Sequence, residues 1–381
     1  MNIPIVQYLW YLFVALAGIQ LLYYLFFFSR LAFYRVRKKK TARPQPPLSV
    51  IICARDEERN LTKNLPVVLQ QRYGDADADD KGLFEVIVVN DNSEDGTPYF
   101  LRSLEPAYPH FRFINLTQEA KGIVGKKYPL TVGIKGAAHE IVVLTDADCR
   151  PAGKNWLAHM GSGFQEGKEI ILGYGAYERQ PGLLNKVIRF ETYFSALQYL
   201  SFALAGIPYM GVGRNLAYKK DLFFRHKGFL SHASIPSGDD DLFINAAARG
   251  RNTKVVVHKE AITYSRPKQT WGAWYRQKTR HVSTGRHYKF KHRLLLGLFS
   301  LSLLLYYPAF VAALFFAPGR ELTLLIFGGK LILQLLIWGL SLRKLNEKGL
   351  FWYCLPFEML MGVYYLVFTP ALLLKPKKRW N

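Results

Sequence analysis

Long apolar blocks at both ends of the chain constrain its fold more than any other feature of the sequence. Residues 6–28 form an almost unbroken apolar run, residues 294–317 carry no charge, and residues 322–342 carry one lysine. An α-helix rises about 1.5 Å per residue, so each block can cross the roughly 30 Å hydrocarbon layer of a bilayer. The residues between the blocks mix polar and apolar side chains. We therefore predict an integral membrane protein with a globular central domain.

The first block is predicted to be an uncleaved N-terminal transmembrane anchor, residues 1–30, rather than a signal peptide. No basic residue precedes the run, the run is too long, and no small-residue cleavage site follows it. A basic cluster comes next, made of Arg30, Arg35, Arg37, Lys38, Lys39, Lys40 and Arg43. Such clusters mark the cytosolic side of a span. The central domain should lie in the cytosol, beneath an inner or plasma membrane.

The formal net charge of +23 is compatible with binding to nucleic acid or to anionic lipid headgroups. The basic residues concentrate beside the apolar spans, and no nucleic-acid-binding motif occurs. Anionic lipid headgroups are therefore the expected partner, and nucleic acid is not. Cys53, Cys149 and Cys354 are far apart and lack metal-binding spacing, which predicts reduced, buried thiols in a cytosolic domain.

Short apolar runs alternate with helical patterns through residues 44–265. Strands are predicted at residues 48–54, 84–90, 111–116, 140–150 and 170–177. This alternation predicts an α/β domain with a doubly wound, mostly parallel sheet. Ligands bind beyond the carboxyl ends of the strands in such sheets. Asp56, Asp91 and Asp146 should therefore converge on one crevice.

Two carboxylates, Asp146 and Asp148, end the fourth predicted strand. Alternate residues of an extended segment share a face, so both can reach one hard divalent cation, Mn²⁺ or Mg²⁺. The equally acidic residues 75–81 follow a helix instead of a strand and are interpreted as a solvated loop. The metal site is therefore predicted at Asp146 and Asp148.

Two later helices border the domain. Residues 184–205 are rich in aromatic side chains, and the sequence leaves open whether they lie at the membrane surface, along an acceptor groove, or in an ordinary core. Residues 266–293 are strongly basic and predict a membrane-interface helix, on which Gln277, Arg280 and His281 share a face.

The C-terminal membrane region, residues 294–374, is predicted to hold two or three helices. The third candidate, residues 350–374, contains Glu358, and a basic tail follows that a crossing would place outside, against the charge rule. An interfacial or re-entrant helix is the alternative. If the segment crosses, Lys330 and Glu358 lie at similar depths and can pair, because isolated charges in a membrane are costly. Otherwise Lys330 is expected to snorkel.

Taken in order, the polar motifs resemble those of membrane-bound family-2 glycosyltransferases of GT-A fold, over about residues 47–281. The matching motifs are Ala54-Arg55-Asp56-Glu57, the turn at residues 90–97, Gly125-Lys126, Thr145-Asp146-Ala147-Asp148, the acidic knot at residues 237–242, and Gln277-Lys278-Thr279-Arg280-His281. Asn90 departs from the family pattern by replacing the first acid of its turn. His281 departs by replacing a tryptophan of polymer-making members.

The resemblance implies a nucleotide-sugar donor, expected to be a UDP-sugar, and a role for each motif residue. The implied donor-binding residues are Asp56, Glu57, Asp91, Lys126, Asp146, Gln277 and Arg280. The metal ligands are Asp146 and Asp148, and the catalytic base is Asp239 when the knot is aligned on Leu242. Asp240 and His281 fall on the acceptor side.

These assignments predict an inverting, metal-dependent glycosyltransferase that acts at the cytosolic face on a lipid-linked or membrane-proximal glycan acceptor. A small processive polysaccharide synthase is an alternative, made less secure by His281. A metal-dependent nucleotidyltransferase would also use an Asp-x-Asp motif to bind its metal ion. It would not require the acidic knot that contains Asp239. A non-catalytic nucleotide-sugar-binding membrane protein would be expected to have lost the metal pair or the base, and the chain keeps both.

Overall fold

The computed structural model describes residues 5–35, 45–74, 83–118, 122–164, 167–316 and 319–372. The acidic stretch at residues 75–81, most of the basic cluster after the anchor, and the basic tail lie outside these ranges. The strands within them are β1 Leu48–Ala54, β2 Phe84–Asp91, β3 Phe111–Leu116, β4 Ile141–Leu144, β5 Cys149–Pro151, β6 Ile170–Leu172, β7 Gly175–Tyr177, β8 Leu216–Lys219, β9 Thr253–Val255 and β10 Thr263–Ser265.

The α-helices in the same ranges include both membrane and catalytic elements. They are α1 Ile5–Leu22, α2 Ser29–Ala32, α3 Glu58–Leu69, α4 Thr97–Leu104, α5 Lys127–Gly136, α6 Trp156–Gly161, α7 Leu183–Leu204, α8 Lys220–Arg225, α9 Asp241–Ala247, α10 Trp271–Val282, α11 Phe290–Phe316, α12 Arg320–Lys344 and α13 Phe351–Phe368. A π-helical segment, Tyr23–Phe28, joins α1 to α2.

The main sheet has the strand order β3-β2-β1-β4-β8-β6-β9. The first four of these strands are parallel, and β8 is antiparallel to both of its neighbours. Strand β1 is buried along its whole length, as expected for a parallel strand covered on both faces. A second, three-stranded sheet has the order β5-β10-β7. The predicted α/β class with a mostly parallel sheet is confirmed.

The single strand predicted at residues 170–177 is wrong, because β6 belongs to the main sheet and β7 to the small one. The break falls at Gly173, whose amide donates to the carbonyl oxygen of Asn215 at 3.0 Å. A Cβ atom at Gly173 would lie 2.5 Å from the Asn215 side chain, so only glycine fits there. The chain therefore changes sheets at this glycine.

Helix α7 is a core helix, which decides between the interpretations that the sequence left open. It is buried along most of its length, including Arg189 and Glu191. Its Tyr199 hydroxyl donates to the carbonyl oxygen of Gly173 at 2.8 Å, while its Phe194 ring lies 5.9 Å from the ring of Phe299 in α11. One apolar core therefore runs from the sheet through α7 into the membrane helices.

The basic segment predicted as one helix over residues 266–293 is divided in the structure. Helix α10 ends at Val282, a 3₁₀ turn covers Ser283–His287, and α11 begins at Phe290. Residues 266–270 precede the helix, and Thr270 caps it by accepting a hydrogen bond from the Ala273 amide at 3.2 Å.

Four helical segments are long and apolar enough to cross a membrane: Gln7–Ala32, Phe290–Phe316, Arg320–Lys344 and Phe351–Pro370. The predicted pairing of Lys330 with Glu358 is confirmed, with Nζ and Oε2 3.6 Å apart and both side chains buried. Tyr24 donates to Glu358 Oε1 at 2.9 Å, and Gln334 donates to Oε2 at 2.7 Å. The charge of Lys330 is thus paired inside the bundle and does not snorkel.

Candidate active site

The carboxyl ends of β1 and β2 are tied together by side-chain hydrogen bonds. The Asp56 amide donates to Ser93 Oγ at 2.9 Å, and Asp56 Oδ1 accepts from the Glu94 amide at 2.7 Å. Asp56 and Asn92 both have positive φ, at 54° and 51°, which is uncommon for non-glycine residues and is often found at functional sites. Asp91, the last residue of β2, is buried beside them.

Glu57 lies between this strand edge and the predicted metal pair. Burial raises the pKa of its carboxyl group, and Asp148 and Asp146 raise it further, whereas a hydrogen bond from Asn60 lowers it. The charges of both aspartates therefore reach Glu57. The structure therefore brings the ends of β1, β2 and β4 to one crevice, as the sequence predicted.

Asp146 and Asp148 come together through a turn, and the extended geometry predicted for them is wrong. The Cys149 amide donates to the carbonyl oxygen of Asp146 at 3.0 Å, which folds the chain between β4 and β5. Potential ligand atoms of Asp146, Asp148 and Cys149 all lie within 4.8 Å of one another. A turn thus brings the two carboxylates close together, which the sequence argument expected from an extended strand.

The charges around this pair fit a hard divalent cation. Burial raises the pKa of Asp148, and the neighbouring Asp146 raises it further. A cation between the two carboxylates would relieve that repulsion. Cys149 is buried, its pKa is raised well above normal by burial, and its thiol lies 3.3 Å from Asp148 Oδ1. Because Mg²⁺ and Mn²⁺ prefer oxygen, the two aspartates are the fitting ligands and the neutral thiol is not.

Lys126 sits between the metal pair and the acidic knot. Its ammonium group forms an ion pair with Asp146, and its Nζ lies 3.6 Å from Asp239 Oδ2. Burial alone would lower the pKa of Lys126, but Asp146 and Asp239 raise it well above normal, so the lysine stays charged. Burial alone would raise the pKa of Asp146, but the charge and hydrogen bond of Lys126, together with the charges of Arg214 and Arg280, lower it overall.

Gly125 and Lys127 hold this lysine against the knot. Gly125 has φ +77°, and a Cβ atom there would lie 2.9 Å from the carbonyl oxygen of Pro236. Lys127 is buried and donates to the carbonyl oxygen of Ser237 at 2.9 Å. From the sequence, Lys127 was assigned no role beyond the start of a helix. Its position next to Lys126 in the Gly-Lys-Lys stretch could have marked it as a residue that supports the site.

The three acids of the knot have different surroundings. Asp240 caps α9, because its carboxylate accepts from the amides of Gly213 and Asp241, each at 2.7 Å. Asp241 accepts from the hydroxyl of Tyr288 at 2.7 Å and from that of Thr284. Asp239 instead faces Lys126. Asp239, the residue predicted as the base, therefore faces the crevice. Asp240 and Asp241 instead stabilise the conformation of residues 237–242 through their hydrogen bonds.

Arg214 is a site residue that sequence reasoning missed. Its guanidinium lies 4.3 Å from the centre of the Tyr177 ring and donates to Ser265 Oγ at 2.8 Å. Its charge lowers the pKa of both Asp146 and Asp148. The Gly-x-Gly-Arg-Asn motif could have drawn attention to Arg214. Nothing in the sequence, however, shows that this motif lies near Asp146 and Asp148 in the fold.

Helix α10 borders the same crevice. The charge of Arg280 lowers the pKa of Asp146, which places the guanidinium near the metal pair. Among the described residues, Gln277 Oε1 is buried with no hydrogen-bond partner, as expected of a group that binds a ligand. Lys278 is buried against Glu191 of α7 in an ion pair. His281 is exposed at the end of the helix.

Comparison with known proteins bears on the family. The sequence profile described as glycosyl transferase family 2 matches residues 49–225, which hold β1 to β8 and the metal pair. This match covers 177 of the 381 residues, and it supports the resemblance to glycosyl transferase family 2 that the motifs indicate. The membrane helices and GT-A fold of the chain agree with the expectations drawn from the sequence.

Two relatives and one solved structure are similar to this chain. "Probable glycosyltransferase YdaM" of Bacillus subtilis is 24% identical over 289 residues, covering 71% of the chain and 64% of the relative. Beta-monoglucosyldiacylglycerol synthase of Trichormus variabilis is 28% identical over 127 residues, covering 32% of the chain and 24% of the relative. The match thus spans less than two thirds of either relative.

The solved structure is mannosyltransferase PcManGT from Pyrobaculum calidifontis in complex with GDP-Man and Mn²⁺. It has a TM-score of 0.59 and 19% identity, covering 97% of this chain and 100% of that one. At this identity the likeness establishes the shared fold. The chain thus has the GT-A fold, together with helices long and apolar enough to cross a membrane.

Proposed function

We propose that this family 2 glycosyltransferase transfers a sugar from a nucleotide-sugar to a hydroxyl group of a lipid-linked or membrane-proximal acceptor at the cytosolic face, with inversion and with Mn²⁺ or Mg²⁺. One observation carries the proposal. The Lys126 ammonium contacts Asp146 on one side and Asp239 on the other. The proposed leaving-group site and the proposed base therefore border one crevice.

On the donor side, the nucleoside is held at the ends of β1 and β2 by Asp56, Glu57 and Asp91. Lys126 and Arg280 supply positive charge toward the diphosphate, and the unpartnered Gln277 Oε1 accepts a hydrogen bond from the donor. A divalent cation held by Asp146 and Asp148 supplies charge neutralisation for the nucleoside diphosphate as it leaves.

On the acceptor side, Asp239 accepts the proton of the attacking hydroxyl group, which must be lost as the new bond forms. Asp240 and Asp241 hold the turn through their backbone and hydroxyl partners and so fix the position of Asp239. A single displacement, with base and leaving group on opposite faces of the sugar, inverts the anomeric centre. His281, exposed at the end of α10, is assigned to this side by the resemblance of its motif.

The membrane supports the choice of acceptor. The helices long enough to span it share a core with the catalytic sheet through α7, so the crevice stays close to the bilayer. One relative is, by its name, a synthase of a glucosylated diacylglycerol, which favours a lipid-linked acceptor. The flanking basic residues favour a cytosolic crevice in an inner or plasma membrane.

The test uses the purified full-length protein with Mn²⁺, a panel of UDP- and GDP-sugars, and a native lipid extract. We expect one donor to be consumed, free nucleoside diphosphate to be released, and label to enter a lipid fraction in the inverted configuration. Release of sugar 1-phosphate, the group expelled by attack at the α-phosphorus of such a donor, would instead indicate nucleotidyl transfer. Long polymeric products would indicate a processive synthase, and a retained configuration would contradict the single displacement.

A further inference from the structure

A second group of potential metal ligands, the histidine cluster, lies on the catalytic domain and shares no residue with the metal pair. It consists of His159, His258 and Glu260, whose potential ligand atoms all lie within 4.8 Å of one another. His159 belongs to α6, whereas Glu260 lies in the 3₁₀ turn Lys259–Ala261 and His258 immediately precedes that turn. No sequence motif joins these residues, because only the fold brings the two segments together.

The two histidine rings of this cluster pack against each other. Their centres are 3.8 Å apart, and their planes differ by 31°. His159 is half-buried and His258 is exposed, so the rings meet at the protein surface. Two imidazoles and one carboxylate form a donor set that binds zinc in proteins, with water at the fourth position.

The spacing of the donor atoms is close to that of a zinc site. Glu260 Oε2 lies 3.8 Å from His159 Nε2, which is too long for a hydrogen bond. Zinc binds imidazole nitrogen and carboxylate oxygen at about 2.0–2.2 Å, so two ligands of a tetrahedral site stand roughly 3.4 Å apart. A movement of about half an ångström would therefore bring this pair to the separation that zinc requires.

The carboxylate of Glu260 is held toward the two histidines by the loop between β5 and α6. Asn155 Nδ2 donates to Glu260 Oε2 at 2.8 Å. Gly153 leaves room for the side chain, because a Cβ atom there would lie 2.7 Å from Glu260 Cγ. The Ala152 amide donates to the carbonyl oxygen of Ile262 at 2.8 Å and ties the two segments together. Partners that fix a ligand's orientation from behind are a general feature of metal sites.

His258 has one hydrogen bond that metal binding would change. The Glu260 amide donates to His258 Nδ1 at 3.3 Å, which is at the long end of the hydrogen-bond range. A metal at Nδ1 would replace this contact, and a metal at Nε2 would require the ring proton to move to Nδ1. The contact is given up in either case, and water can take its place because the contact is exposed.

The donor atoms also determine which ion fits. Imidazole nitrogen suits Zn²⁺, whereas Mn²⁺ and Mg²⁺ prefer the oxygen ligands that Asp146 and Asp148 offer. We propose that His159, His258 and Glu260 bind a Zn²⁺ ion that fastens α6 to the 3₁₀ turn Lys259–Ala261. This zinc site is separate from the proposed transfer reaction and does not depend on it.

The turn that the zinc ion would fasten leads directly into β10, which contacts Arg214. Thr263 Oγ1 of β10 donates to the carbonyl oxygen of Arg214 at 2.9 Å. Ser265 Oγ of the same strand accepts from Arg214 Nη1 at 2.8 Å. Strand β10 also pairs with β5, which follows the metal pair in the chain. The zinc ion would therefore stabilise the small sheet that positions Arg214.

The first test measures zinc affinity with full-length protein that carries no histidine tag. Excess Mg²⁺ occupies the aspartate pair, and Zn²⁺ is titrated in competition with a chromophoric chelator. We expect one zinc ion per chain, and at least about a 100-fold weaker affinity in His258→Gln and in Glu260→Gln. His139→Gln is the control, because His139 belongs to neither group of potential ligands, and it should bind zinc like the wild type. Equal affinity in all the variants, or no saturable binding by the wild type, would overturn the site.

A second measurement needs no variant. X-ray absorption at the zinc edge of the one-to-one complex should show two imidazole ligands and oxygen, without sulfur. Sulfur ligation, or a shell of oxygen alone, would place the ion elsewhere and contradict the proposal.

The fastening role is tested by thermal unfolding of the same proteins. Zinc should raise the Tm of the wild type and of His139→Gln by at least about 2 °C, since it binds only the folded cluster. It should leave the Tm of His258→Gln unchanged. An equal rise in His258→Gln would show that zinc stabilises the protein from another site.

Discussion

Lys126 Nζ lies 3.6 Å from Asp239 Oδ2 and also pairs with Asp146, so this lysine joins two acidic motifs that are distant in the sequence. If Asp239 is the base, Asp239→Asn should retain donor binding, because the metal pair and the β1 and β2 ends are untouched. Transfer should fall by about 10²- to 10⁴-fold, the usual contribution of a general base. Donor titration calorimetry and a transfer assay on the same preparation measure the two effects.

Asp221→Asn is the matched control for that variant. Asp221 is 64% exposed and pairs with Arg225 on the surface of α8, so its loss should change neither binding nor transfer. Undiminished turnover in Asp239→Asn would refute the assignment of the base.

The metal pair predicts a loss of cation affinity in Asp148→Asn. Removing a direct ligand should weaken Mn²⁺ binding by at least the roughly 10²-fold that outer-shell changes can cause. Electron paramagnetic resonance of free Mn²⁺ in a titration measures the affinity. Asp79→Asn is the control, because the sequence predicts a solvated loop there. If both variants bind Mn²⁺ like the wild type, the site is elsewhere.

The buried ion pair of Glu191 with Lys278 predicts a positioning role for α7. Glu191→Gln leaves the Lys278 ammonium unpaired, which costs about 3–5 kcal/mol where the pair is buried. Because α10 carries Gln277 and Arg280, we expect the donor KM to rise more than kcat falls. The double variant Glu191→Gln/Lys278→Met should recover part of the loss.

Lys63→Met provides the comparison for this pair, since Lys63 is 66% exposed and its contact with Glu178 spans 3.8 Å. It should have little effect on the donor KM. An equal rise in KM for the exposed and the buried pair would show that α10 is not held by Glu191.

The ion pair of Lys330 and Glu358 lies inside the bundle of membrane helices. Breaking this pair is expected to lower the stability of the protein. Glu358→Leu leaves Lys330 uncompensated and removes the acceptor of Tyr24 and Gln334, so the Tm in detergent should fall markedly. Lys330→Met/Glu358→Leu removes both charges and should restore most of the loss. If the double variant is as unstable as Glu358→Leu, the polar contacts rather than the charges hold the bundle.

The raised pKa of Asp240 predicts that the free energy of unfolding depends on pH. Burial, then the charges of Asp239 and Asp241, raise its pKa from 3.8 to about 7. The folded protein therefore keeps a proton that the unfolded chain loses, so this group's contribution to stability is full below about pH 4 and is lost as the pH rises through about 7. Asp240→Asn should reduce the difference in Tm between about pH 5 and about pH 8. An unchanged difference would assign the pH dependence to other groups.

Local patterns predicted much of the fold. The runs at residues 48–54 and 111–116 became strands with those bounds. Continuous β-branched and apolar sequence suits β1, which is covered on both faces, whereas β3 lies at the edge of the sheet and is mostly half-buried. The convergence of Asp56, Asp91 and Asp146 followed from parallel strand ends. The break at Gly173 was not predictable, since its cause is the Asn215 side chain forty-two residues later.

Site residues could be predicted where a short sequence motif contains them. They could not be predicted where contacts between distant parts of the chain bring them to the site. Asp146, Asp148 and Asp239 were found from short patterns. Arg214 acts on the metal pair only because the fold stacks it on Tyr177 and bonds it to Ser265. The division of labour among Asp239, Asp240 and Asp241 likewise depends on partners, Gly213 and Tyr288, that no local pattern identifies.

Helix α7 touches the catalytic sheet through Tyr199 and the membrane helices through Phe194. The central α/β domain consequently packs directly against the membrane helices and is not joined to them only by a flexible linker. A chain shortened before α11 would expose the aromatic face of α7 and aggregate. If Asp239 is the base, the same packing holds it at a fixed height above the bilayer in the intact protein. The proposed function then predicts that acceptors are selected partly by the distance of their hydroxyl group from the membrane.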